Sequence, residues 1–107
     1  MGPEYNDLTS EPLSERIEIE QRCVTYAVSC GFLTLKLDRG NKGWPDRALW
    51  GHGEHMLVEF KLPRGRLSAA QKHVHGQLAR AGFTVHVVRS LEIFKSLVDS
   101  AVERGNR

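Results

Sequence analysis

The chain has 107 residues and a mass of 12.1 kDa, which is enough for one folded domain and too little for two independent hydrophobic cores. Hydrophobic residues make up 40% and charged residues 26%, ordinary values for a globular protein that exclude a disordered or collagen-like chain. The formal net charge is +2, but six of the 13 acidic residues fall within residues 1–20, so the remainder is strongly basic. A basic surface of this kind suits a polyanionic partner such as nucleic acid, and on charge alone a solvated basic face without a partner is an equally compatible interpretation.

Hydrophobic periodicity and turn residues predict seven elements in the order αβββαβα. Three strands form an antiparallel meander, and a helix then crosses over to a fourth strand. We expect one α/β domain over residues 1–107, with residues 1–9 and 103–107 flexible. The predicted elements are a helix over Ser10–Cys30, strands over Phe32–Leu37, Asp46–Trp50 and His55–Leu62, a helix over Ser68–Ala81, a strand over Phe83–Val88 and a helix over Leu91–Val102.

No segment has the pattern of a membrane span or a secretory signal. The longest nearly apolar stretch, Tyr26–Leu35, contains polar residues and is shorter than the roughly 20 residues that cross a bilayer. The first residues lack a basic segment followed by an apolar one, so we expect a cytoplasmic protein. Cys23 and Cys30 lie about 10 Å apart along one helix and are predicted to be reduced, with no structural zinc site.

The third strand carries an unusual polar pair. Its alternation places four apolar side chains on one face, while Glu59 and Lys61 share the other face near the middle of the sheet. An ion pair on a solvated face is one interpretation. Because two helices need a sheet face to cover, we favour a functional pair in a partly enclosed site.

Two helical residues point toward the same sheet, at 100° per residue. Glu20 falls within the apolar arc of the first helix, so its carboxylate needs a metal ion or a lysine as partner. Gln71 lies on the apolar side of the second helix, where a capping box with Ser68 and a role in the site are equally compatible with the spacing. The apolar arc of the first helix consists of Leu13, Ile17, Val24, Ala27 and Val28.

Asp46, at the entry to the second strand, completes a set of three carboxylates, one lysine and one glutamine. Oxygen ligands in a basic protein favour a hard divalent cation, and Mg²⁺ suits them best. The cation would stabilise charge on a phosphodiester transition state, while Lys61 orients or deprotonates the attacking water. A histidine–metal site is disfavoured because His52, His55 and His73 do not converge.

These residues resemble a known family. Gly43-Trp44-Pro45-Asp46, Glu59-Phe60-Lys61 and Gln71, preceded by a helical Glu20, are similar to the virus-type replication-repair nuclease (VRR-NUC) domain of the PD-(D/E)xK nuclease superfamily, over about Glu15 to Val88. The resemblance implies a restriction-endonuclease-like core, a mixed central sheet flanked by helices. It also implies a DNA endonuclease that uses Mg²⁺, or Mn²⁺ in its place, and that selects branched DNA such as four-way junctions in phage or bacterial replication, recombination or repair. The residues implied as catalytic are Glu20, Asp46, Glu59, Lys61 and Gln71, with Asp46, Glu59, the Phe60 carbonyl and Glu20 as metal ligands.

Two expectations concern partners. The first helix has a second apolar stripe of Ile19, Cys23, Tyr26 and Cys30, which either the closing helix or a second subunit covers, and we favour a twofold dimer. DNA phosphates are expected to contact basic residues near the site, with binding that weakens in salt. Those residues are Lys36, Arg39, Lys42, Arg64 and Arg66. A binding module that keeps the fold without catalysis is the alternative function.

Overall fold

The computed structural model describes residues 13–106 and contains three helices and four strands in this range. Their order confirms the predicted α/β arrangement, and the predicted flexible segment 1–9 lies outside the described residues. No helix among the described residues has the length and apolar character of a bilayer span. The elements are α1 (Leu13–Ser29), β1 (Leu33–Lys36), β2 (Arg47–Gly51), β3 (Glu54–Phe60), α2 (Ala69–Arg80), β4 (Val85–Val88) and α3 (Leu91–Gly105).

The four strands form one mixed sheet in the order β1-β2-β3-β4. The first three are antiparallel neighbours, and β4 pairs with β3 in parallel after the crossover through α2. His52 and Gly53 join β2 to β3 with φ of 56° and 76°, as a type I′ hairpin requires. This hairpin fixes the register that pairs Arg47 with Val58 and therefore brings Asp46, one residue earlier, beside Glu59.

The hydrophobic core lies between the sheet and the pair of helices α1 and α3. Met56, Val58 and Phe60 alternate along β3 toward this core, as predicted. Helix α2 packs on the opposite face, against β4. The core residues are Cys23, Ala27, Phe32, Leu49, Met56, Val58, Phe60, Val88, Phe94, Val98 and Ala101.

The α2 face of the sheet is covered only in part. Leu33, Leu35 and Trp50 share that face by register and are exposed, with Trp44 and Phe83 exposed at its margins. We call these five residues the open sheet face. Part of it borders a shallow apolar cavity of about 440 Å³.

The structure corrects the prediction for the first helix. Ile17 and Val28, expected in the core, are exposed, whereas Cys23 of the second stripe is fully buried. Helix α3 covers that stripe within the same chain, and Tyr26 Oη donates to Asp99 Oδ1 at 2.5 Å. The second stripe is therefore not free to form a dimer interface.

The closing helix is longer than predicted. It ends at Gly105 rather than Val102, and Arg104 Nε donates to Glu54 Oε1 at 2.8 Å. Residues 103–105, expected in a flexible tail, belong to this helix because the ion pair ties its last turn to the start of β3.

Candidate active site

Asp46 is buried at the junction of the 38–45 loop and β2, with 3% of its surface exposed. Its Oδ2 accepts a hydrogen bond from the backbone N–H of Phe60 at 2.8 Å. Gly43 holds the preceding loop against α2: its φ is +87°, and a Cβ there would lie 2.5 Å from the carbonyl oxygen of Ala70. The loop therefore fixes the Asp46 carboxylate against the last residue of β3.

Glu59 is buried on the α2 face of β3, with 1% of its surface exposed. Gln71 Nε2 donates to its Oε2 at 2.9 Å. Its Oε1 lies 3.5 Å from His75 Nε2, and neither of these two buried atoms has a hydrogen-bond partner. One oxygen of this carboxylate is thus held by a neutral amide, while the other lacks the partner that a buried polar atom normally has.

Burial raises the pKa of both carboxyl groups. It raises the pKa of Glu59 to about 8, with repulsion from Asp46 adding to the rise and the Lys61 ammonium opposing it. It raises the pKa of Asp46 to about 6, although the hydrogen bond from Phe60 opposes the rise, and a hydrogen bond with Asp38 adds to it. The two groups form an acidic pair whose negative charge the nearby cations compensate only in part.

Gln71 forms the capping box and also contacts Glu59. Its side-chain Oε1 accepts from the backbone N–H of Ser68 at 2.8 Å, and its own N–H donates to Ser68 Oγ at 3.1 Å, so the capping box is present. Because this box fixes the amide oxygen, the amide nitrogen is aimed at Glu59.

Lys61 follows directly after β3, where its backbone N–H donates to Val88 O at 2.9 Å. Its side chain is half-buried, and its charge lowers the pKa of both Glu59 and His75. The ammonium group therefore lies close to the acidic pair.

Glu20 is buried, but it lies on the other face of the sheet from Glu59. Its Oε2 accepts from Arg47 Nε at 2.8 Å and from Lys36 Nζ at 2.9 Å. Arg47 pairs with Val58 and so shares the core face, opposite to that of Glu59. The expectation that Glu20 points to the same face as Glu59, Lys61 and Gln71 is therefore wrong. Its carboxylate instead pairs with the cationic side chains of β1 and β2 on the core face.

The predicted phosphate-binding residues fall into two groups. Lys36 is engaged by Glu20 at 2.9 Å and by Asp38 at 3.5 Å. The other four are exposed around the mouth of the site, two in the loop before Asp46 and two in the turn after Lys61. Arg89 shapes that turn by donating to the carbonyls of Leu62 and Gly65 at 2.8 and 2.7 Å. The exposed residues are Arg39, Lys42, Arg64 and Arg66.

Three neighbours of the site were not singled out from the sequence. His75 lies four residues after Gln71, and Arg16 lies four residues before Glu20. The Nη1 atom of Arg16 is 3.8 Å from Asp46 Oδ1. The i,i+4 spacing places each pair on one helix face and could have identified both. Asp38 contacts Asp46 through a loop, for which the sequence carries no such signal.

The groups that could bind a metal at this position are the two carboxylates of Asp46 and Glu59, and the backbone N–H of Phe60 holds the first of them in place. No cluster of three or more His, Cys, Asp or Glu side chains within residues 13–106 is placed to hold a metal ion. Two adjacent buried carboxylates, with Glu59 Oε1 lacking a hydrogen bond, nevertheless fit a hard divalent cation that takes its remaining ligands from water and substrate.

Comparisons with known proteins agree with the geometry. Residues 8–92 match the family described as the VRR-NUC domain. A solved structure described as a VRR-NUC domain superimposes with a TM-score of 0.69 at 22% identity, covering 79% of this chain and 95% of that chain, which shows a shared fold. No curated protein matches the chain.

Proposed function

Since this chain belongs to the VRR-NUC domain family, a family of nuclease-type domains, we propose that it is a Mg²⁺-dependent endonuclease that hydrolyses phosphodiester bonds of DNA. The observation that carries the proposal is the Asp46–Glu59 pair, two buried carboxylates whose pKa values are raised and one of whose oxygens has no hydrogen bond. A binding module has no use for such a pair, because burying it costs stability.

VRR-NUC nucleases are metal-dependent, and in this chain Asp46, Glu59 and the Phe60 carbonyl would hold the ion. When bound, the ion would neutralise charge on the phosphate and lower the pKa of a water molecule. Mg²⁺ suits an all-oxygen donor set, and Mn²⁺ could replace it.

The remaining side chains have separate tasks in this proposal. Lys61 orients the attacking water through its ammonium group, which lies close to the acidic pair, or accepts the proton of that water as a neutral amine. Gln71 holds Glu59 Oε2 in place. Glu20 acts indirectly, by fixing Arg47 and raising the pKa of Asp46 through its charge, rather than as a direct ligand.

The DNA backbone would lie across the mouth of the site. Arg39 and Lys42 on one side and Arg64 and Arg66 on the other are exposed, whereas Lys36 is paired with carboxylates. Each phosphate contact of this kind adds to the salt dependence of binding, so affinity should fall steeply between low and moderate salt.

We further propose that the substrate is branched DNA and that two copies of the chain act together. A four-way junction presents two strands to be cut, which suits a twofold assembly with two sites. The open sheet face is the surface for the second copy: it is apolar, lies on the same face as Glu59 and extends to the edge strand β1.

Light scattering measures this assembly. We expect the mass of a dimer for the unaltered chain and for Ile93→Glu, an exposed position on α3, and the mass of a monomer for Leu35→Glu. A monomer mass for the unaltered chain would contradict this assembly.

The activity is tested by incubating the protein with plasmid, linear, flapped and four-way DNA, with Mg²⁺ and then with chelator. We expect cleavage that requires the metal and is fastest on the branched substrates. The matched control is Lys61→Ala, which removes the ammonium group. Equal cleavage by this variant would identify a contaminant, and binding without cleavage by the unaltered protein would favour the non-catalytic module.

A further inference from the structure

Helix α2 presents two polar side chains, one turn apart, to a single carboxylate. Gln71 Nε2 donates to Glu59 Oε2 at 2.9 Å, and His75 Nε2 faces Glu59 Oε1 at 3.5 Å. The His75 side chain is only 12% exposed and that of Glu59 only 1% exposed. Both facing atoms lack a hydrogen-bond partner.

A pair of unsatisfied atoms in this position is costly. A buried donor or acceptor without a partner loses its hydrogen bonds to water and gains none in return, and native interiors contain few such atoms. The gap between His75 Nε2 and Glu59 Oε1 exceeds a good N–H···O distance by about 0.5 Å. An imidazole in its Nε2–H tautomer can close that gap by a small side-chain shift.

We propose that His75 is a positioning residue whose Nε2–H donates to one lone pair of Glu59 Oε1 and leaves the other lone pair for the metal, so that α2 fixes both oxygens of the carboxylate that holds the metal. The inference rests on the proposed function, because it assumes that Glu59 is a metal ligand. It adds a residue to the site whose task is to orient that ligand.

The topology places His75 behind the carboxylate. Because α2 returns from the end of β3 to the start of β4, its second turn lies further back along β3 than its first. Gln71 in the first turn is therefore nearer to Lys61 and the mouth of the site, and His75 lies further from the mouth, toward the start of β3. This position suits an orienting hydrogen bond more than direct contact with substrate.

The expected effect is on metal affinity. Removing a hydrogen-bond partner of a metal ligand typically weakens metal binding about 10- to 100-fold. His75→Leu removes the donor while keeping a side chain that packs in a buried position. His75→Gln keeps an N–H donor at the distance of Nε2, and His73→Leu, at an exposed position two residues away, is the matched control.

The experiment measures Mn²⁺ affinity of the full chain by calorimetry, together with thermal unfolding and the separate kcat and KM for DNA cleavage. We expect His75→Leu to weaken Mn²⁺ binding about 10- to 100-fold without lowering the melting temperature. We expect His75→Gln to recover most of the lost affinity and His73→Leu to match the unaltered chain. A role in packing alone would lower the melting temperature and leave affinity unchanged.

Three results would overturn the inference. The first is unchanged Mn²⁺ affinity in a folded His75→Leu protein. The second is an equal loss of affinity in His75→Gln and in His75→Asn, whose shorter side chain cannot reach Glu59; this pair decides the matter even if the leucine variant does not fold. The third is nitrogen coupling in the electron spin echo spectrum of bound Mn²⁺ that His75→Gln abolishes, which would make the ring a direct ligand. Absence of Mn²⁺ binding by the unaltered chain would instead refute the metal centre, and the inference with it.

Discussion

Two buried carboxylates on opposite faces of the sheet have very different surroundings. Glu20, 5% exposed, accepts hydrogen bonds from the cationic groups of Arg47 and Lys36. Glu59, 1% exposed, accepts one from the neutral amide of Gln71 and none at its second oxygen. The charge of Glu20 is compensated within the chain and ties α1 to two strands. The hydrogen-bond partner of Glu59 is uncharged, so this carboxylate can bind a metal cation.

The hydrogen-bond partners of the two carboxylates therefore distinguish a charge that stabilises the fold, at Glu20, from a charge that is available for chemistry, at Glu59. Removing one partner of a buried ion pair leaves the other charge uncompensated and destabilises the fold. Removing a charge from a buried pair of like sign relieves repulsion instead. The two faces should therefore respond to the same substitution with opposite changes in stability.

The largest expected effect is that of Glu59→Gln on activity. The change keeps the shape of the side chain but removes the charge that would hold the metal, so cleavage should fall by at least about 10²- to 10³-fold. The melting temperature should stay the same or rise, because repulsion with Asp46 is removed. Plasmid cleavage and thermal unfolding measure the two quantities.

The control for this substitution is Glu54→Gln on the same strand, where the carboxylate pairs with Arg104 at the surface. We expect full cleavage activity from this variant. A Glu59→Gln protein that is active, or that unfolds at a much lower temperature, would show that Glu59 is a structural charge like Glu20.

The next effect in size is that of Glu20→Gln on stability. The substitution leaves Arg47 without its carboxylate and Lys36 with only Asp38 at 3.5 Å, which should cost about 3 kcal/mol and lower the melting temperature by more than about 10 °C. Glu18→Gln, whose surface pair with Arg22 spans one turn of the same helix, should cost about 0.5 kcal/mol. If the two variants unfold at the same temperature, the α1 face does not depend on its ion pairs.

The surroundings of Glu59 could be predicted from the sequence because they depend on residues that are close together in the chain. Strand alternation placed Glu59 and Lys61 off the core face, and the spacing of Ser68 and Gln71 indicated the capping box. The order of the seven elements followed from equally local turn signals, such as the hairpin at Gly53. The structure confirms the fold class that these patterns predicted.

The partners of Glu20 were not accessible in this way. Helix α1 is apolar on several sides, so its periodicity cannot say which stripe α3 will cover, and the choice is made by packing between distant elements. Lys36 and Arg47 are 16 and 27 residues from Glu20, and no spacing rule connects them to it. The catalytic roles of the site residues remain predictions that the experiments above address.

A third, smaller effect is the pH dependence of stability without metal. The pKa of Asp46 is raised from 3.8 to about 6 and that of Glu59 from 4.5 to about 8. Between about pH 4 and pH 8 the folded state therefore binds more protons than the unfolded state, so its stability should fall as the pH rises. Because the two carboxyl groups titrate together, we expect one continuous loss of stability over this range rather than two separate steps.

Mg²⁺ should reverse this trend, because it binds the ionised carboxylates of the folded state. Thermal unfolding at several pH values, with Mg²⁺ and with chelator, measures the difference. Glu59→Gln should flatten the metal-free curve, whereas a curve that rises with pH in the absence of metal would contradict the raised pKa values.

The smallest effect tests whether the helix cap supports the site. Ser68→Ala removes the hydroxyl that caps α2, at a cost of about 1 kcal/mol. Ser90→Ala removes the equivalent cap of α3, far from the acidic pair, at a similar cost. The backbone N–H of Ser68 that holds the Gln71 amide is kept in Ser68→Ala, but loss of the hydroxyl bond to the Gln71 backbone N–H loosens the first turn of α2, which carries Gln71. We therefore expect only Ser68→Ala to lower kcat, by several-fold, while both variants lose a similar few degrees of melting temperature. Equal activity in the two variants would mean that Gln71 holds Glu59 without help from the cap, and that the α2 face is fixed by packing rather than by its hydrogen bonds.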